Sequence, residues 1–272
     1  MGKISDALDK YMSEKVDYGV RQYEPESSLI KSEEREIVSS EELIKEHRSS
    51  DKLLTLSAPH SITAEAFKII RGTVLYDKNR PAPKAIMVTS TFPGEGKTFV
   101  SSNLAISFAM GLNENVLLID SDLRHPSVHE MFGIKNLYGL CEHLQGKKDI
   151  SEILVKTNIK KLTLLLAGKH PPNPVELLSS KKMERFINEA KNRYQDRFII
   201  LDTAPSQLTA ETNTIANHVD GVILVVMNGK TPQAAILQTV ENIGRQKIIG
   251  IVFNGSSMSY KAYNRYYSKY YK

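Results

Sequence analysis

The chain has 272 residues, of which 41% are hydrophobic and 25% charged, as is ordinary for a soluble globular protein. No apolar run approaches the roughly eighteen residues that a membrane helix needs, and the charged start is unlike a secretory signal. The single cysteine, Cys141, excludes an internal disulfide and a multi-cysteine metal site. We therefore expect a cytoplasmic protein in which Cys141 is a small buried side chain.

The net charge of +5 is unevenly distributed along the chain. Residues 1–52 hold thirteen acidic and nine basic residues, a balance of −4, which leaves +9 for residues 53–272. A basic surface attracts nucleic acid or anionic lipid. No recognisable nucleic-acid module accompanies it, so we expect no nucleic-acid partner and assign the excess to bound nucleotide and a solvated face.

Residues 1–55 are predicted to form a polar N-terminal extension. Five apolar side chains near its start follow helical spacing and predict one short amphipathic helix: Ile4, Ala7, Leu8, Tyr11 and Met12. The stretch 17–50 is typical of a linker or a weak helix. The short helix either docks on a partner or packs on its own domain, and the sequence leaves both open.

Residues 56–256 have the pattern of an α/β domain. A helix is predicted to begin at Ser61 or Thr63 and to end before Arg80. Apolar runs of strand length follow at 84–90, 115–120, 162–168, 197–202, 221–227 and 247–253. Because these runs are near-continuously apolar rather than alternating, each is predicted to be a parallel strand covered on both faces.

Predicted helices separate most of these strands, at 98–110, 181–193 and 231–245. Repeated strand–helix alternation predicts the fold class: α/β, with a doubly wound, mainly parallel sheet and helices on both faces. In such folds ligands bind beyond the carboxyl ends of the strands, so the residues that follow each strand are the candidates for a site.

The loop after the first predicted strand reads Thr-Phe-Pro-Gly-Glu-Gly-Lys-Thr, residues 91–98. Its glycines let backbone N–H groups turn toward a phosphate, and the following helix N-terminus adds partial positive charge. Lys97 is placed to reach the β- and γ-phosphates, and the Thr98 hydroxyl to ligate Mg²⁺. The usual pattern begins with Gly or Ala where this chain has Thr91. The strand–loop–helix context nonetheless predicts the phosphate-binding loop of a P-loop NTPase fold.

The residues assigned to ATP binding are Pro93, Gly94, Glu95, Gly96, Lys97, Thr98, Phe99 and Asn254. Asn254 follows the last predicted strand and is our candidate for an adenine contact.

Acidic residues end two other predicted strands. Asp120 and Asp122 lie two apart, so they point the same way if the strand geometry persists. One is placed to approach a metal or a substrate hydroxyl, and the other to hold metal-bound water. Asp202 ends the strand at 197–202 and is expected to be a further Mg²⁺ anchor.

The last segment, residues 257–272, is rich in tyrosine and cations and has almost no aliphatic residue. Its six tyrosines are Tyr260, Tyr263, Tyr266, Tyr267, Tyr270 and Tyr271, interleaved with four basic residues. Such a sequence has no packed face to bury, so we predict a flexible tail. Beside a phosphate-binding loop, six phenolic hydroxyls on a tail indicate phosphate acceptors.

Together these motifs resemble the bacterial tyrosine kinase family, the autokinases of capsule and exopolysaccharide export. The resemblance covers roughly residues 60–272 and rests on four motifs in order: Pro-Gly-Glu-Gly-Lys-Thr at 93–98, Asp-x-Asp-x-Arg at 120–124, Asp-x-x-Pro at 202–205 and the tyrosine cluster at 260–271. The start of the chain, residues 1–8, also looks like cytosolic members found with exosortase-linked polysaccharide systems.

The resemblance implies ATP and Mg²⁺ as cofactors and catalytic roles for Lys97, Asp120, Asp122, Arg124 and Asp202. It also implies a metal site formed by Thr98, Asp122 and Asp202. Asp120 would assist the tyrosine hydroxyl or the metal, and Arg124 would be a charge partner near the site. It also implies autophosphorylation of the six tail tyrosines.

An oligomerisation motif precedes the first strand in that family, as Glu-x-x-Arg-x-x-Arg. Here it reads Glu65, Lys68 and Arg71, and Lys68 lacks the forked donor geometry of arginine. The resemblance implies a ring-shaped homo-oligomer, a separate transmembrane polysaccharide co-polymerase as activator, a cognate tyrosine phosphatase and attachment to the inner face of the membrane through the partner. Glu211 stands where the family usually has Asp and is left unassigned.

Two other functions fit the phosphate-binding loop. A partitioning or septum-positioning ATPase would hydrolyse ATP without transferring phosphate to protein, but such proteins carry an extra loop lysine where this chain has Phe92. An assembly scaffold would bind nucleotide without catalysis, which the complete set of catalytic-type residues argues against.

Overall fold

The structure is a computed structural model and describes residues 51–193, 197–207 and 210–256. The predicted amphipathic helix near residue 4 and the tyrosine-rich segment 257–272 lie outside the described residues. None of the described helices is long and apolar enough to cross a bilayer.

Seven described strands form one sheet in the order β3-β4-β2-β5-β1-β6-β7. Their bounds are β1 Ala85–Ser90, β2 Asn115–Asp120, β3 Leu154–Lys156, β4 Leu162–Leu165, β5 Arg197–Asp202, β6 Gly221–Met227 and β7 Ile248–Asn254. All neighbouring pairs are parallel except β3 and β4, which are antiparallel. The predicted fold class, a mainly parallel sheet with helices, is confirmed.

The described helices connect and cover these strands. Their bounds are α1 Leu54–Ser57, α2 Ile62–Leu75, α3 Lys97–Ala109, α4 Val128–Phe132, α5 Leu140–Leu144, α6 Ile150–Ile153, α7 Pro174–Leu178, α8 Lys181–Arg193, α9 Ala210–His218 and α10 Gln233–Ile243. Helix α2 begins where predicted because the Ser61 hydroxyl accepts a hydrogen bond from the Ala64 N–H (3.2 Å).

The core consists of two apolar layers, one on each face of the sheet. Successive strand residues point to opposite faces, so Ile200 packs in one layer and Leu201 in the other. Every residue of β1 and β5 is buried, which explains the apolar runs 85–88 and 198–201 within them. Cys141 is buried in one layer, as predicted from its sequence, and burial raises the pKa of its thiol.

The strand predicted at 162–168 is shorter in the structure. Strand β4 ends at Leu165, and the next two carbonyls accept hydrogen bonds from the first residues of α5 instead of a neighbouring strand: Leu140 N–H to Leu166 O (2.8 Å) and Cys141 N–H to Ala167 O (2.9 Å). The carboxyl ends of β1, β2 and β5 meet at one edge, and this edge carries the candidate site.

Candidate active site

The phosphate-binding loop connects β1 to α3. Gly94 and Gly96 have positive φ angles of 78° and 90°, a backbone conformation that glycine adopts without strain. A Cβ at Gly96 would lie 2.1 Å from the side-chain nitrogen of Asn254, so this position has no room for a side chain. Helix α3 begins directly afterwards at Lys97, with its first N–H groups at the end of the loop.

A cavity of about 1020 Å³ lies at this edge of the sheet. Its lining combines the loop, the segments after β2 and β5, and one residue near the N-terminal extension: Lys52, Pro93, Gly94, Gly96, Lys97, Thr98, Phe99, Asp122, Arg124, His125, Pro126, Ser127, Glu130, Met131, Ala204 and Pro205. Glu95, Asp120, Asp202 and Asn254 are not in this lining, so the structure places these predicted site residues behind or beside the cavity.

Two of the candidate acids lie side by side on adjacent strands. Asp120 at the end of β2 is paired in register with Asp202 at the end of β5. Both carboxylates are fully buried. Asp120 accepts backbone N–H groups from Asp122 (3.2 Å), Ser127 (3.1 Å) and Val128 (3.0 Å). It therefore fixes the course of the chain from β2 to α4, along the cavity wall.

Lys97 contacts the third acid. Its Nζ lies 3.0 Å from Oδ2 of Asp122, whose Oδ1 accepts the His125 N–H at 3.0 Å. Burial alone would lower the pKa of Lys97, but the negative charges of Asp202, Asp122 and Asp120 outweigh it and hold that pKa above its usual value. Lys97 is therefore fully protonated and available to bind an anion.

Thr98 connects the loop to Asp202. Its hydroxyl donates to Oδ2 of Asp202 (2.6 Å) and, having a single proton, accepts from the Ser127 hydroxyl (2.9 Å). The other oxygen of Asp202, Oδ1, is buried and has no hydrogen-bond partner within the described residues. An acceptor left in this state indicates a place for a cation or for water.

The acids titrate abnormally because they are buried together. Burial raises the pKa of Asp120 well above its ordinary value, and the charge of Asp202 adds to this. Burial likewise raises the pKa of Asp202 to about 6, against the lowering influence of Lys97 and of the Thr98 hydrogen bond. Ionising these groups is therefore costly until more positive charge enters the site.

The donor set fits Mg²⁺ held together with a nucleotide. Three ionised aspartates and one lysine in ion-pair contact leave a formal balance of −2, which one divalent cation would offset. Carboxylate and hydroxyl oxygens are the ligands that Mg²⁺ prefers, and it is usually bound through one or two carboxylates plus substrate phosphates. Accordingly, no group of three or more His, Cys, Asp or Glu in the described residues forms a metal cage by itself.

Arg124 has a partner that the sequence pattern left unassigned. Its Nε donates to Oε1 of Glu211, in the first turn of α9, at 2.7 Å, and this hydrogen bond raises the pKa of Arg124. The Glu211 side chain is 2% exposed and that of Arg124 41%. Glu211 thus fixes one edge of a guanidinium that lines the cavity and leaves its other N–H groups for a ligand.

Ser127 was also missed by sequence reasoning. Its backbone is bound by Asp120 and its hydroxyl by Thr98, so it joins the two halves of the site. The spacing of Ser127 from Asp122 carries no motif, and only the loop geometry reveals the contact.

The predicted oligomerisation residues lie on α2, away from this cavity. Lys68 forms an ion pair with Glu65 (2.6 Å) and also donates to Pro59 O (3.1 Å). Arg71 donates to Ser107 O of α3. The three residues therefore make contacts within the chain, and the structure brings none of them to the phosphate-binding loop.

The sheet order, the phosphate-binding loop and the acids on neighbouring strands define a P-loop nucleotide-binding protein. In agreement, residues 83–248 match the family model described as "AAA domain". Among solved structures, the chain is similar to the kinase domain of VpsO (34% identity, TM-score 0.64, covering 71% of this chain and 94% of that one). It is also similar to the kinase domain of Escherichia coli ETK (27%, TM-score 0.67, 78% and 86%).

Similarity to curated relatives identifies the family within this class of P-loop proteins. The chain is 35% identical over 222 residues to tyrosine-protein kinase YwqD of Bacillus subtilis, covering 81% of this chain and 92% of that protein. It is 33% identical over 204 residues to tyrosine-protein kinase CpsD of Streptococcus agalactiae, covering 74% and 86%. The chain belongs to the bacterial tyrosine kinase family, as its motifs predict.

Proposed function

We propose that the protein is a protein-tyrosine kinase that uses Mg·ATP to phosphorylate its own tyrosine-rich segment and thereby regulates the synthesis and export of a capsule or exopolysaccharide. The observation that carries the proposal is the joining of Lys97, Asp122, Thr98 and Asp202 beside the phosphate-binding loop. A cell division ATPase from Pyrococcus furiosus shares the fold at 19% identity and TM-score 0.54, which is a likeness of fold alone.

The reaction requires an exchange of partners by Lys97. When ATP enters, Lys97 leaves Asp122 and binds the β- and γ-phosphates, and the loop N–H groups bind the same anion. Of the predicted metal ligands, Thr98 and Asp202 would hold Mg²⁺, which would neutralise charge on the transferred group, because Asp122 serves as the proton acceptor. Arg124, fixed by Glu211, adds a second cation at the cavity wall.

Release from Lys97 makes the Asp122 carboxylate, which lines the cavity, the available proton acceptor. The phenolic oxygen of the acceptor tyrosine bonds to the γ-phosphorus while the bond to the bridging oxygen breaks. ADP leaves with that electron pair, and the phenolic proton goes to Asp122. Asp120, behind the cavity, assists by holding the 121–128 segment in place.

The acceptors are Tyr260, Tyr263, Tyr266, Tyr267, Tyr270 and Tyr271, which lie outside the described residues. Purified protein incubated with Mg·ATP should gain phosphotyrosine, located by mass spectrometry in the 257–272 peptide. A variant with all six tyrosines changed to Phe should lose the signal, whereas Tyr76→Phe, at a residue 78% exposed on the domain surface, should retain it. Signal that persists undiminished in Lys97→Met would refute the kinase assignment.

We further propose that transfer occurs between subunits of a homo-oligomer. A mixture of the Lys97→Met variant, which has an intact tail, with the six-Phe variant, which has an intact site, tests this. Phosphotyrosine on the Lys97→Met chain supports transfer between subunits, and its absence from both chains contradicts it. Each phosphate adds about −1.5 to −2 charges, so several of them reverse the tail's +4 and should loosen the oligomer.

The protein is proposed to act on the cytoplasmic side of the membrane, with a separate transmembrane partner as activator and a tyrosine phosphatase that resets it. The chain matches only 26% of the length of the longer kinase Wzc of Salmonella typhimurium, which leaves room in that relative for further parts. Co-purification with membrane proteins encoded near the gene, and stimulation of phosphotyrosine by their cytosolic segments, would test the partnership.

A further inference from the structure

Glu95 is a buried carboxylate inside the phosphate-binding loop that the reaction does not use. Its residue is 4% exposed, and its side chain does not line the cavity. A buried charge is costly unless hydrogen bonds satisfy it. Its position in the middle of the loop therefore requires an explanation in terms of partners on the side away from the nucleotide.

The partners of Glu95 come from two places. Within the loop, Oε2 accepts the Phe92 N–H at 2.9 Å, which closes a short turn. From the connection between β6 and α10, the Thr231 hydroxyl donates to Oε1 and accepts the N–H of Met227, the last residue of β6, at 3.1 Å; the same N–H lies 3.5 Å from Oε1. The carboxylate thus ties the loop to the segment that follows a neighbouring strand, 136 residues further along the chain.

A second tie holds the same residue through its backbone. The Asn254 Nδ2 donates to Glu95 O at 2.9 Å, while its Oδ1 accepts the Gly255 N–H at 2.9 Å. The amide lies against Gly96, where a Cβ would approach it to 2.1 Å. Glu95 is therefore held at its carboxylate by the β6–α10 connection and at its carbonyl by β7.

We propose that Glu95 is a positioning residue whose carboxylate, bound by Thr231, holds the phosphate-binding loop in its nucleotide-accepting form. It acts on the nucleotide through the loop backbone and not by contact of its side chain. A loop already held in shape loses less conformational freedom on binding, so the tie should strengthen nucleotide affinity. The inference rests on the proposed function only in requiring that the cavity bind nucleotide.

The test is the affinity for a fluorescent ADP analogue with Mg²⁺, measured by titration of the full chain, together with KM for ATP and kcat. Glu95→Ala should weaken binding roughly tenfold or more, since a hydrogen bond to a charged group contributes about that factor to an equilibrium. Thr231→Val should weaken it several-fold. Thr231→Ser, which keeps the hydroxyl, should restore affinity to within about twofold of the wild type, a rescue that a merely structural role would not require.

The double variant Glu95→Ala with Thr231→Val decides whether the two residues act as one unit. If they do, it binds no more than about twofold more weakly than Glu95→Ala alone, because the Thr231 partner is already gone. If the losses of nucleotide affinity from the two substitutions simply add, the proposed link between Glu95 and Thr231 is contradicted. KM for ATP should rise by a larger factor than kcat falls.

Glu142→Ala and Thr157→Val are matched controls. Glu142 is another buried carboxylate that accepts backbone N–H groups, and the Thr157 hydroxyl also bonds main-chain carbonyls, but both lie outside the cavity lining. Equal weakening in these controls would reduce the effect to general destabilisation and overturn the proposal, as would unchanged affinity in Glu95→Ala. If Glu95→Ala fails to fold, Thr231→Val against Thr231→Ser decides alone. Failure of the wild type to bind nucleotide would instead overturn the proposed function itself.

Discussion

The carboxylates of Asp120, Asp122 and Asp202 are as deeply buried as those of Glu95 and Glu142, yet their surroundings differ. The three aspartates lie together and have one lysine in contact. Each glutamate accepts hydrogen bonds from backbone donors: Glu142, which is outside the cavity lining, accepts the N–H groups of Gly139 (2.8 Å) and Lys169 (3.2 Å).

This difference in surroundings distinguishes acids that can bind a cation from acids that only stabilise the fold. Burial raises the pKa values of Asp120 and Asp202, the charge of a neighbouring aspartate adds to this, and such a site gains stability when a cation enters it. Glu95 and Glu142 only hold backbone in place, whereas Asp120 does so from within the charged cluster. Burial alone does not distinguish the two kinds of acid; the inventory of their partners does.

The largest effect is expected from a substitution within the aspartate cluster. Asp202→Asn removes the acid next to Thr98, so the phosphotyrosine rate at saturating Mg·ATP should fall at least about 100-fold, as for loss of one transition-state stabilising group. Stability without Mg²⁺ should not fall, because a repelling charge has gone. Rate assays and thermal melting measure the two quantities. A rate within tenfold of the wild type would contradict the role, and Glu142→Gln is the control.

The cluster also predicts that the free energy of unfolding decreases as the pH rises, which is the opposite of what an ordinary ion-paired carboxylate produces. Because the pKa of Asp202 is raised to about 6, the folded state binds more protons than the unfolded state between about pH 4 and 6. Its stabilising contribution is complete below this window and is lost as the pH rises through 6. The total is on the order of 3 kcal/mol at about 1.4 kcal/mol per unit.

Urea unfolding at several pH values without Mg²⁺ measures this dependence. The curve for Asp202→Asn should be flatter than that of the wild type between about pH 4 and 6, and Mg²⁺ with ADP should flatten the wild-type curve too. Parallel curves for the two proteins would show that the carboxyl titrates normally.

A smaller effect is expected when Glu142, which only holds backbone in place, is replaced. Glu142→Ala leaves the N–H groups of Gly139 and Lys169 without their acceptor, so the free energy of unfolding should drop by about 1–3 kcal/mol. Nucleotide affinity at 25 °C should stay within twofold of the wild type. A selective loss of affinity would place Glu142 with the binding acids and not with the scaffold.

The smallest effect is expected at an acid that is not buried. The Glu65 and Lys68 side chains are 32% and 38% exposed, so Glu65→Gln should change the free energy of unfolding by less than about 0.5 kcal/mol. Urea unfolding at low and high salt measures it. A loss well above 1 kcal/mol that depends on protein concentration would mean that another copy buries this face, in line with the proposed oligomer.

Much of the sheet can be predicted because its central strands are near-continuously apolar, whereas the edge strand β7 leaves Ile251 and Phe253 exposed. The runs at 115–120, 197–202 and 221–227 coincide with β2, β5 and β6, whose burial on both faces produces that pattern. The strand predicted at 162–168 is too long, since the carbonyls that follow Leu165 accept hydrogen bonds from α5 and not from a strand. The three-residue antiparallel strand β3 is too short to give a periodic signal.

For the site, short-range motifs identified Lys97, Thr98, Asp122 and Asp202, which the structure brings into contact. Contacts across long sequence separations carried no such signal. Glu211 lies 87 residues from Arg124, and nothing in the spacing pairs them. The same reason hid the bond from Thr231 to Glu95, so the loop glutamate was read as part of the ATP contact and its tie to the scaffold emerged only from the fold.

The register of β2 and β5 fixes the spacing of two acids of the site. Asp120 and Asp202 lie side by side in register, separated by one strand spacing, which is about 4.8 Å in any sheet. That interval is set by backbone hydrogen bonds that do not depend on side-chain identity. Loops beyond the strands can therefore lengthen or shorten during evolution without altering it. A single deletion inside either strand would turn its terminal acid to the opposite face of the sheet. Substrate preference is thus free to drift in the loops while the acid pair keeps its spacing.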